Sequence, residues 1–330
     1  MTRWLAALLA LALLAACGGG GADDDDKASA APRKLELMLD YFPNADHAGI
    51  YAAEAGGHFA RAGVEVAVRQ PPDPAAPLKQ VAAGRVDVAI SYEPEVLRAR
   101  DQGLPVVAVG ALVQRPLTSI ISLPEAGIEG PEDLAGKRVG TSGIDYQSAY
   151  LQTILERSGR ERAREINVGF SLTPALLTGR VDAVLGAYWN YEGTELRLQG
   201  RDPRIIRMDD VGVPTYDELV LVANVDSLRE QGPAIRSLLA GLARGTADLE
   251  RDPDAAVQGL LEANRDLDPK LQREVVKVTL PLFVAPRGKP YGYQDPEEWR
   301  AFGEWMSEQR LLKKPAGDGA FTNEYLPRAR

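Results

Sequence analysis

Tyrosines beside carboxylates are the groups in this chain best suited to binding chemistry, and they occur in two matching places. Tyr92-Glu93 closes the run Gly84-Arg85-Val86-Asp87-Val88-Ala89-Ile90-Ser91. Tyr188-Trp189-Asn190-Tyr191-Glu192 closes its looser copy, Gly179-Arg180-Val181-Asp182-Ala183-Val184-Leu185-Gly186-Ala187. A third set, Asp40-Tyr41 with Asn44 and His47, lies further upstream. A flat ring is held by offset stacking, worth about 0.5–1.5 kcal/mol beyond its burial. An exocyclic amine needs carboxylate or amide acceptors, and ring nitrogens need donors. Tyr41, Tyr92, Tyr146, Tyr188 and Trp189 offer faces; Asp40, Glu93 and Glu192 offer acceptors; Asn44 and His47 can donate, and Asn190 stands inside the second motif. Ser142-Gly143 precedes a helical stretch and could aim backbone N–H groups at the same place. Such a set suits a small planar heteroaromatic amine.

Each of these residues also has a purely structural reading. Tyr41-Phe42 could staple the following helix, His47 and Glu192 could cap helices, Asn44 could be a turn residue and Trp189 could be core. Glu93 and Glu95 could form a solvated helix start, which for Glu95 is the favoured reading. Arg115 fits an exposed hinge charge, and would matter to binding only for an anionic ligand. The matching positions of Tyr92 and Tyr188 in the repeat weigh toward a shared role.

Several chemistries are excluded. The chain has only His47 and His58, one cysteine, no CxxC and no HExxH. No histidine-based metal site can be built from that, and no cofactor is expected. The net charge of −9 argues against a nucleic-acid partner. At 45% hydrophobic and 26% charged residues, the 330-residue chain reads as an ordinary globular protein of two domains.

The elements that would position these groups follow from punctuation and period. Each repeat starts at a helix-stopping glycine and continues as an apolar run too short for a helix, which is how a helix handing over to a buried parallel strand reads. Residues 35–40 predict a strand, 47–62 a helix with Asp46 as N-cap, 64–68 a strand, 78–83 a helix, 95–102 a helix and 106–109 a strand. The order then restarts: strands at 137–141 and 165–170, helices at 146–158 and 174–178, and the second repeat. Strands at 205–208 and 219–223 follow, then helices at 233–248, 253–264, 269–283 and 296–309. Helices with no further strand need a sheet to cover, so strand 219–223 is expected to return to the first half. The expectation is an α/β protein of two lobes, each a mostly parallel sheet with flanking helices. Lobe 1 takes residues 34–116 and 216–330, lobe 2 takes 117–215, and the hinge lies near 115–119 and 212–218. Ligands of open α/β sheets sit beyond the carboxyl ends of strands, so the tyrosines should face one cleft.

Residues 1–17 read as a secretory signal: one early arginine, an uncharged apolar run over 4–16, and small residues before Cys17. Leu14-Ala15-Ala16-Cys17 resembles the bacterial lipobox, whose cysteine is lipidated. Residues 18–33, with four glycines and Asp23-Asp24-Asp25-Asp26-Lys27, read as a flexible linker. The acidic run also matches an enteropeptidase cleavage sequence.

Asp40-Tyr41-Phe42-Pro43-Asn44-Ala45-Asp46-His47, Gly57-His58-Phe59, both Gly-Arg-Val-Asp runs, Tyr188-Trp189-Asn190-Tyr191-Glu192-Gly193 and Thr322-Asn323-Glu324-Tyr325-Leu326 together resemble the Thi5/NMT1-like family of periplasmic substrate-binding proteins. The resemblance covers residues 34–326. It implies the type II periplasmic-binding-protein fold. It also implies an extracytoplasmic protein, lipid-anchored to the bacterial cell membrane through Cys17, that serves as a monomer delivering solute to an ABC permease. The narrower motifs imply a thiamine-precursor aminopyrimidine, such as formylaminopyrimidine or hydroxymethylpyrimidine. A carrier for a sulfonate, nitrate or riboflavin is the alternative cargo reading; an anion would require an arginine or several N–H donors in the cleft. The family's eukaryotic enzymes carry a lysine where Ser91 stands, a histidine where Glu95 stands, and a cysteine-rich run near 216–221. None of these is present, so no Schiff base can form there and enzymatic activity is not expected.

Overall fold

The computed structural model describes residues 32–157, 162–314 and 319–329. Its chain opens with β1 (Arg33–Met38), a 3-10 turn at Ala45–His47, α1 (Ala48–Ala55), α2 (His58–Arg61) and β2 (Val64–Arg69). It continues through α3 (Pro77–Ala82), β3 (Val88–Ser91), α4 (Glu93–Asp101) and β4 (Val106–Val113). Next come β5 (Thr118–Ser122), β6 (Arg138–Thr141), α5 (Asp145–Arg157), β7 (Arg164–Asn167), α6 (Leu172–Leu177), β8 (Ala183–Tyr188), α7 (Glu192–Leu198) and β9 (Arg204–Arg207). β10 (Leu219–Asn224) precedes four helices, α8 (Leu228–Arg251), α9 (Pro253–Ala263), α10 (Pro269–Phe283) and α11 (Pro296–Glu308).

The strands form two five-stranded sheets, ordered β2-β1-β3-β10-β4 and β7-β6-β8-β5-β9. In the first, β1 pairs in parallel with β2 and β3, while β10 runs antiparallel between β3 and β4. The second repeats the pattern, with β6 parallel to β7 and β8 and with β5 antiparallel between β8 and β9. In both sheets the antiparallel strand is the one the chain enters directly from the other sheet. Each sheet is therefore locked by a strand that arrives from its neighbour.

The Gly-Arg-Val-Asp repeat has a structural cause. Gly84 and Gly179 sit at φ 65° and 67°, left-handed values that glycine adopts without strain, and they end the preceding helices. Asp87 Oδ2 then accepts from Glu36 N at 2.8 Å, and Asp182 Oδ2 accepts from Arg138 N at 2.8 Å. Each aspartate thereby ties its strand to the parallel neighbour, β1 for Asp87 and β6 for Asp182. β3 and β4 are buried along their whole length and β10 up to Asn224, which is why they read as largely continuous apolar runs rather than alternating ones. The open edge of β4 is covered by the C-terminal segment: Ala108 N donates to Ala320 O at 2.9 Å and Thr322 N donates to Ala108 O at 2.8 Å. A bare apolar edge of that length would invite pairing with another chain.

The structure shifts several expected boundaries. The helix over 47–62 is two helices, because Gly57 turns left-handed at φ 66° between α1 and α2. Asn44, not Asp46, caps the first turn, its side chain accepting from Asp46 N at 2.8 Å. α4 starts two residues earlier than expected, at Glu93, and β4 runs on to Val113. The signal sequence, the lipobox Cys17 and nearly all of the acidic linker lie outside the described residues. No helix among the described residues is long and apolar enough to cross a membrane.

Two crossings join the sheets, and a single carboxylate fastens them together. Glu218 accepts from Leu117 N at 2.6 Å, from Thr118 N and Thr118 Oγ1 at 2.8 Å each, and from the Tyr216 hydroxyl at 3.1 Å. Residues from both crossings thus share one acceptor, and burial pushes the Glu218 carboxyl upward.

Candidate functional site

The carboxyl ends of β1, β3, β6 and β8 converge on a cavity whose walls come from both sheets. The first sheet contributes Asp40, Tyr41, Asn44, Asp46 and His47 from the segment after β1, and Tyr92 from the end of β3. The second contributes Ser142, Ile144 and Gln147 around the start of α5, Leu172 from α6, and Gly186, Tyr188, Tyr191 and Glu192 around the end of β8.

A network of hydrogen bonds builds the first wall. The Asn44 N–H donates to His47 Nδ1 at 3.2 Å, which leaves the ring proton on Nε2 to donate to Asp40 Oδ1 at 2.8 Å. The Tyr92 hydroxyl donates to the other Asp40 oxygen at 2.8 Å. Asn44 Nδ2 donates to Phe42 O at 3.0 Å. Asn44 and His47 line the cavity with their polar atoms committed to the protein, so their contribution is to shape it. Tyr41 packs edge-on against Phe170 with ring centroids 4.7 Å apart, and Phe42 meets Tyr191 at 6.0 Å, so an aromatic rim is shared by the two walls.

The second wall depends on an irregular strand. Pairing of β5 with β8 slips between Ser119 and Ile120, leaving Gly186 as a bulged residue at φ 98°. A Cβ there would stand 2.2 Å from Gln147 Nε2, so only glycine fits the approach. Gln147 Oε1 in turn accepts from the Ser142 N–H and hydroxyl, both at 2.9 Å. Glu192 Oε2 accepts from Tyr188 N at 2.7 Å, which closes the turn after β8.

Three polar atoms on the walls are buried and have no hydrogen-bond partner: the Tyr41 hydroxyl, the Tyr188 hydroxyl and Asp46 Oδ2. Native proteins rarely leave such groups unsatisfied, since each costs about 1–3 kcal/mol. Burial pushes the Asp46 carboxyl up to about 7, opposed by His47 and by the Asn190 hydrogen bond. Burial likewise takes Glu192 up to about 8. Both tyrosine hydroxyls are driven upward by burial and stay protonated. The cavity therefore presents hydroxyl donors beside carboxyl acceptors, and no lysine or arginine among the described residues lines it.

Of the residues singled out from sequence, Asp40, Tyr41, Asn44, His47, Tyr92, Ser142, Tyr188 and Glu192 lie on the cavity wall. Four do not. Glu93 is turned away beneath β10, where it accepts from Asp217 N at 2.7 Å, and burial raises its carboxyl well above the usual range. Tyr146 is buried behind Tyr92 with ring centroids 5.5 Å apart and its hydroxyl 3.3 Å from Thr118 Oγ1. Trp189 braces the crossing: its Nε1 donates to Pro116 O at 3.1 Å, and the Arg207 guanidinium lies 4.1 Å over its ring. Asn190 sits behind Asp46, to which it donates at 2.7 Å.

Other sequence readings also change. Glu95 is half-buried rather than solvated; it accepts from the Ser91 hydroxyl at 2.6 Å, and burial takes its carboxyl to about 7. The Ser142 N–H is spent on Gln147, and Arg115 pairs with Glu298 at 3.0 Å. The wall also takes in Asp46, Ile144, Gln147, Leu172, Gly186 and Tyr191, which are not among the site residues expected from sequence. Tyr191, inside the second aromatic motif, and Asp46, inside the Asp40-to-His47 motif, carry a signal that could have found them.

Comparison with known proteins gives a consistent picture. The model of the family described as NMT1/THI5 like matches residues 44–256. A formylaminopyrimidine-binding protein from Halalkalibacterium halodurans is 35% identical over 88% of this chain and 89% of its own length. A putative thiamine biosynthesis protein from Haemophilus influenzae is 36% identical over 87% of this chain and 90% of its own. A 4-amino-5-hydroxymethyl-2-methylpyrimidine phosphate synthase from Schizosaccharomyces pombe is 24% identical over 73% and 72%. Among solved structures, the alkanesulfonate-binding protein SsuA from Xanthomonas axonopodis pv. citri, bound to MOPS, superposes with a TM-score of 0.68. It is 18% identical, covering 89% of this chain and 99% of its own, a likeness of fold.

Proposed function

This chain belongs to the NMT1/THI5-like family, and from that premise we propose that it is an extracytoplasmic solute-binding lipoprotein of an ABC importer. Its cargo is a thiamine-precursor aminopyrimidine, formylaminopyrimidine or hydroxymethylpyrimidine, held in the cavity between the two sheets. The observation that carries this reading is the lining itself. Asp40, Asp46 and Glu192 face the cavity with four tyrosines, and no lysine or arginine among the described residues joins them. An aminopyrimidine offers a flat ring for the tyrosines, an amino group for the carboxyls and ring nitrogens for the unpartnered hydroxyls of Tyr41 and Tyr188. A sulfonate or nitrate would meet three acidic groups and no guanidinium.

Binding of this kind needs no covalent step. A ligand touching both walls favours the arrangement in which the walls are close, and its differential contacts set how far the equilibrium shifts. Catalysis of the synthase kind is disfavoured by the residues present. Ser91, where the family's enzymes carry a lysine, has its hydroxyl bonded to Glu95.

Calorimetric titration against formylaminopyrimidine, hydroxymethylpyrimidine, thiamine, riboflavin and taurine tests the cargo. Saturable one-to-one binding of one of the two aminopyrimidines is expected. Tight binding of taurine with no response to either pyrimidine would sink the proposal. The anchor is tested separately: Cys17→Ala should move the full-length protein from the membrane to the soluble fraction, and retention at the membrane would contradict it.

A further inference from the structure

Asp46 is the one carboxyl on the cavity wall that also reaches across to the other sheet. It sits in the turn after β1 and is 5% exposed. Its Oδ1 accepts from Asn190 Nδ2 at 2.7 Å, and Asn190 belongs to the turn after β8. The second Asn190 N–H goes to Thr279 Oγ1 on α10 at 2.7 Å, and the Thr279 hydroxyl donates onward to Val275 O at 2.8 Å. With two acceptors facing it, the Asn190 amide has only one workable orientation, nitrogen toward Asp46. The other Asp46 oxygen, Oδ2, is buried without a partner.

We propose that Asp46 reads an N–H of the ligand with Oδ2 while Oδ1 holds Asn190, so that one carboxylate couples occupancy of the cavity to the bond between the two sheets. The inference rests on the aminopyrimidine reading above and adds to it a residue and a coupling. The physical reason is the asymmetry of the two oxygens. No group of the protein donates to Oδ2, and burial favours the protonated acid, whose remaining oxygen is a weak acceptor. A donor on Oδ2 keeps the group ionised. The Asn190 bond then becomes charge-assisted, roughly twice as strong as a neutral one. Asn190 does not line the cavity, so it acts as a positioning residue whose influence on the ligand passes through Asp46.

The test is a cycle between Asn190→Ala and the amino group of the ligand. Affinities of wild type and variant are measured by calorimetry for hydroxymethylpyrimidine and for its analogue lacking the 4-amino group. Compaction on binding is followed by small-angle scattering. Asn190→Ala is expected to weaken the amino ligand about tenfold, the scale of an ordinary coupling. It should change the deamino analogue far less and reduce ligand-induced compaction. Equal losses for both ligands, or an amino-ligand affinity unchanged from wild type, would overturn the coupling while leaving the cargo intact. Absence of binding by the wild type to any aminopyrimidine would overturn the cargo reading and this inference with it. If Asn190→Ala does not fold, Asp46→Asn serves: it should lose most of the discrimination between the two ligands, and full retention would refute the proposal.

Discussion

Glu218 at the crossings and Asp46 at the cavity are both buried carboxylates whose acidity burial weakens, yet their surroundings differ in one respect. Glu218 accepts four hydrogen bonds from Leu117, Thr118 and Tyr216, using both oxygens. Asp46 accepts one from a neighbouring side chain and leaves its second oxygen bare. A carboxylate satisfied from within holds a fold together. One left half-satisfied beside a cavity stores an interaction that an incoming donor completes. Burial alone does not separate these roles, and neither does acidity; the count of unmet hydrogen bonds does.

Removing the satisfied group should have the largest effect. Glu218→Ala takes the acceptor from two backbone N–H groups and one partner each from the Thr118 and Tyr216 hydroxyls, at about 1–3 kcal/mol for each buried group left unpaired. Chemical denaturation should show a loss of about 3 kcal/mol or more, and a loss below about 1 kcal/mol would erase the distinction drawn here. At the cavity the expected response is reversed. Glu192→Gln keeps an acceptor for Tyr188 N but cannot ionise when a ligand donates to it, so affinity for the aminopyrimidine should fall about 10- to 100-fold, the range of one hydrogen bond to a charged group. Stability should hold or rise, and a destabilised variant with unchanged affinity would place Glu192 with Glu218.

A smaller effect follows from pH. Asp46 is faced by His47, Asp40 and Glu218, and Glu192 by Glu195 and Asp46. Both carboxyls are raised, to about 7 and about 8, so between their ordinary values and these the folded protein holds protons that the unfolded chain has released. Stability then declines as pH rises through this window. The melting temperature of the empty protein should be lower at pH 8.5 than at pH 6. A ligand donating to these groups should give a thermal shift that grows over the same range, and a shift that shrinks would contradict the assignment. The smallest effect is expected at Glu93, outside the cavity with Oε1 unpartnered. Glu93→Gln should leave affinity unchanged and be neutral or stabilising at pH 8; lost affinity would mean the wall has been drawn too narrowly.

Much of this was legible in the sequence, for identifiable reasons. Paired glycine-to-strand runs mark the same junction in each sheet, and Asp87 and Asp182 repeat because each ties its strand to a parallel neighbour. Strand ends could be placed, so Tyr92 and Tyr188 fell on the cavity wall. Which neighbour faces inward was not legible. The bulge at Gly186 and the turn closed by Glu192 send Tyr188 inward and Trp189 toward Pro116, a rotation that no period reveals. Asp46 read as a helix cap because Asp suits that position as well as Asn does. Its place on the wall follows from Asn44 taking the cap instead. Glu93 looked equivalent to Glu192, but Pro94 and the start of α4 turn it beneath β10, onto Asp217.

The most direct test of the central claim is a crystal structure of the protein with formylaminopyrimidine or hydroxymethylpyrimidine bound. The ring should lie among the cavity tyrosines with its amino group within hydrogen-bond distance of a wall carboxylate, Asp46 or Glu192. A ring bound elsewhere, or one whose amino group points away from every carboxylate, would contradict the account.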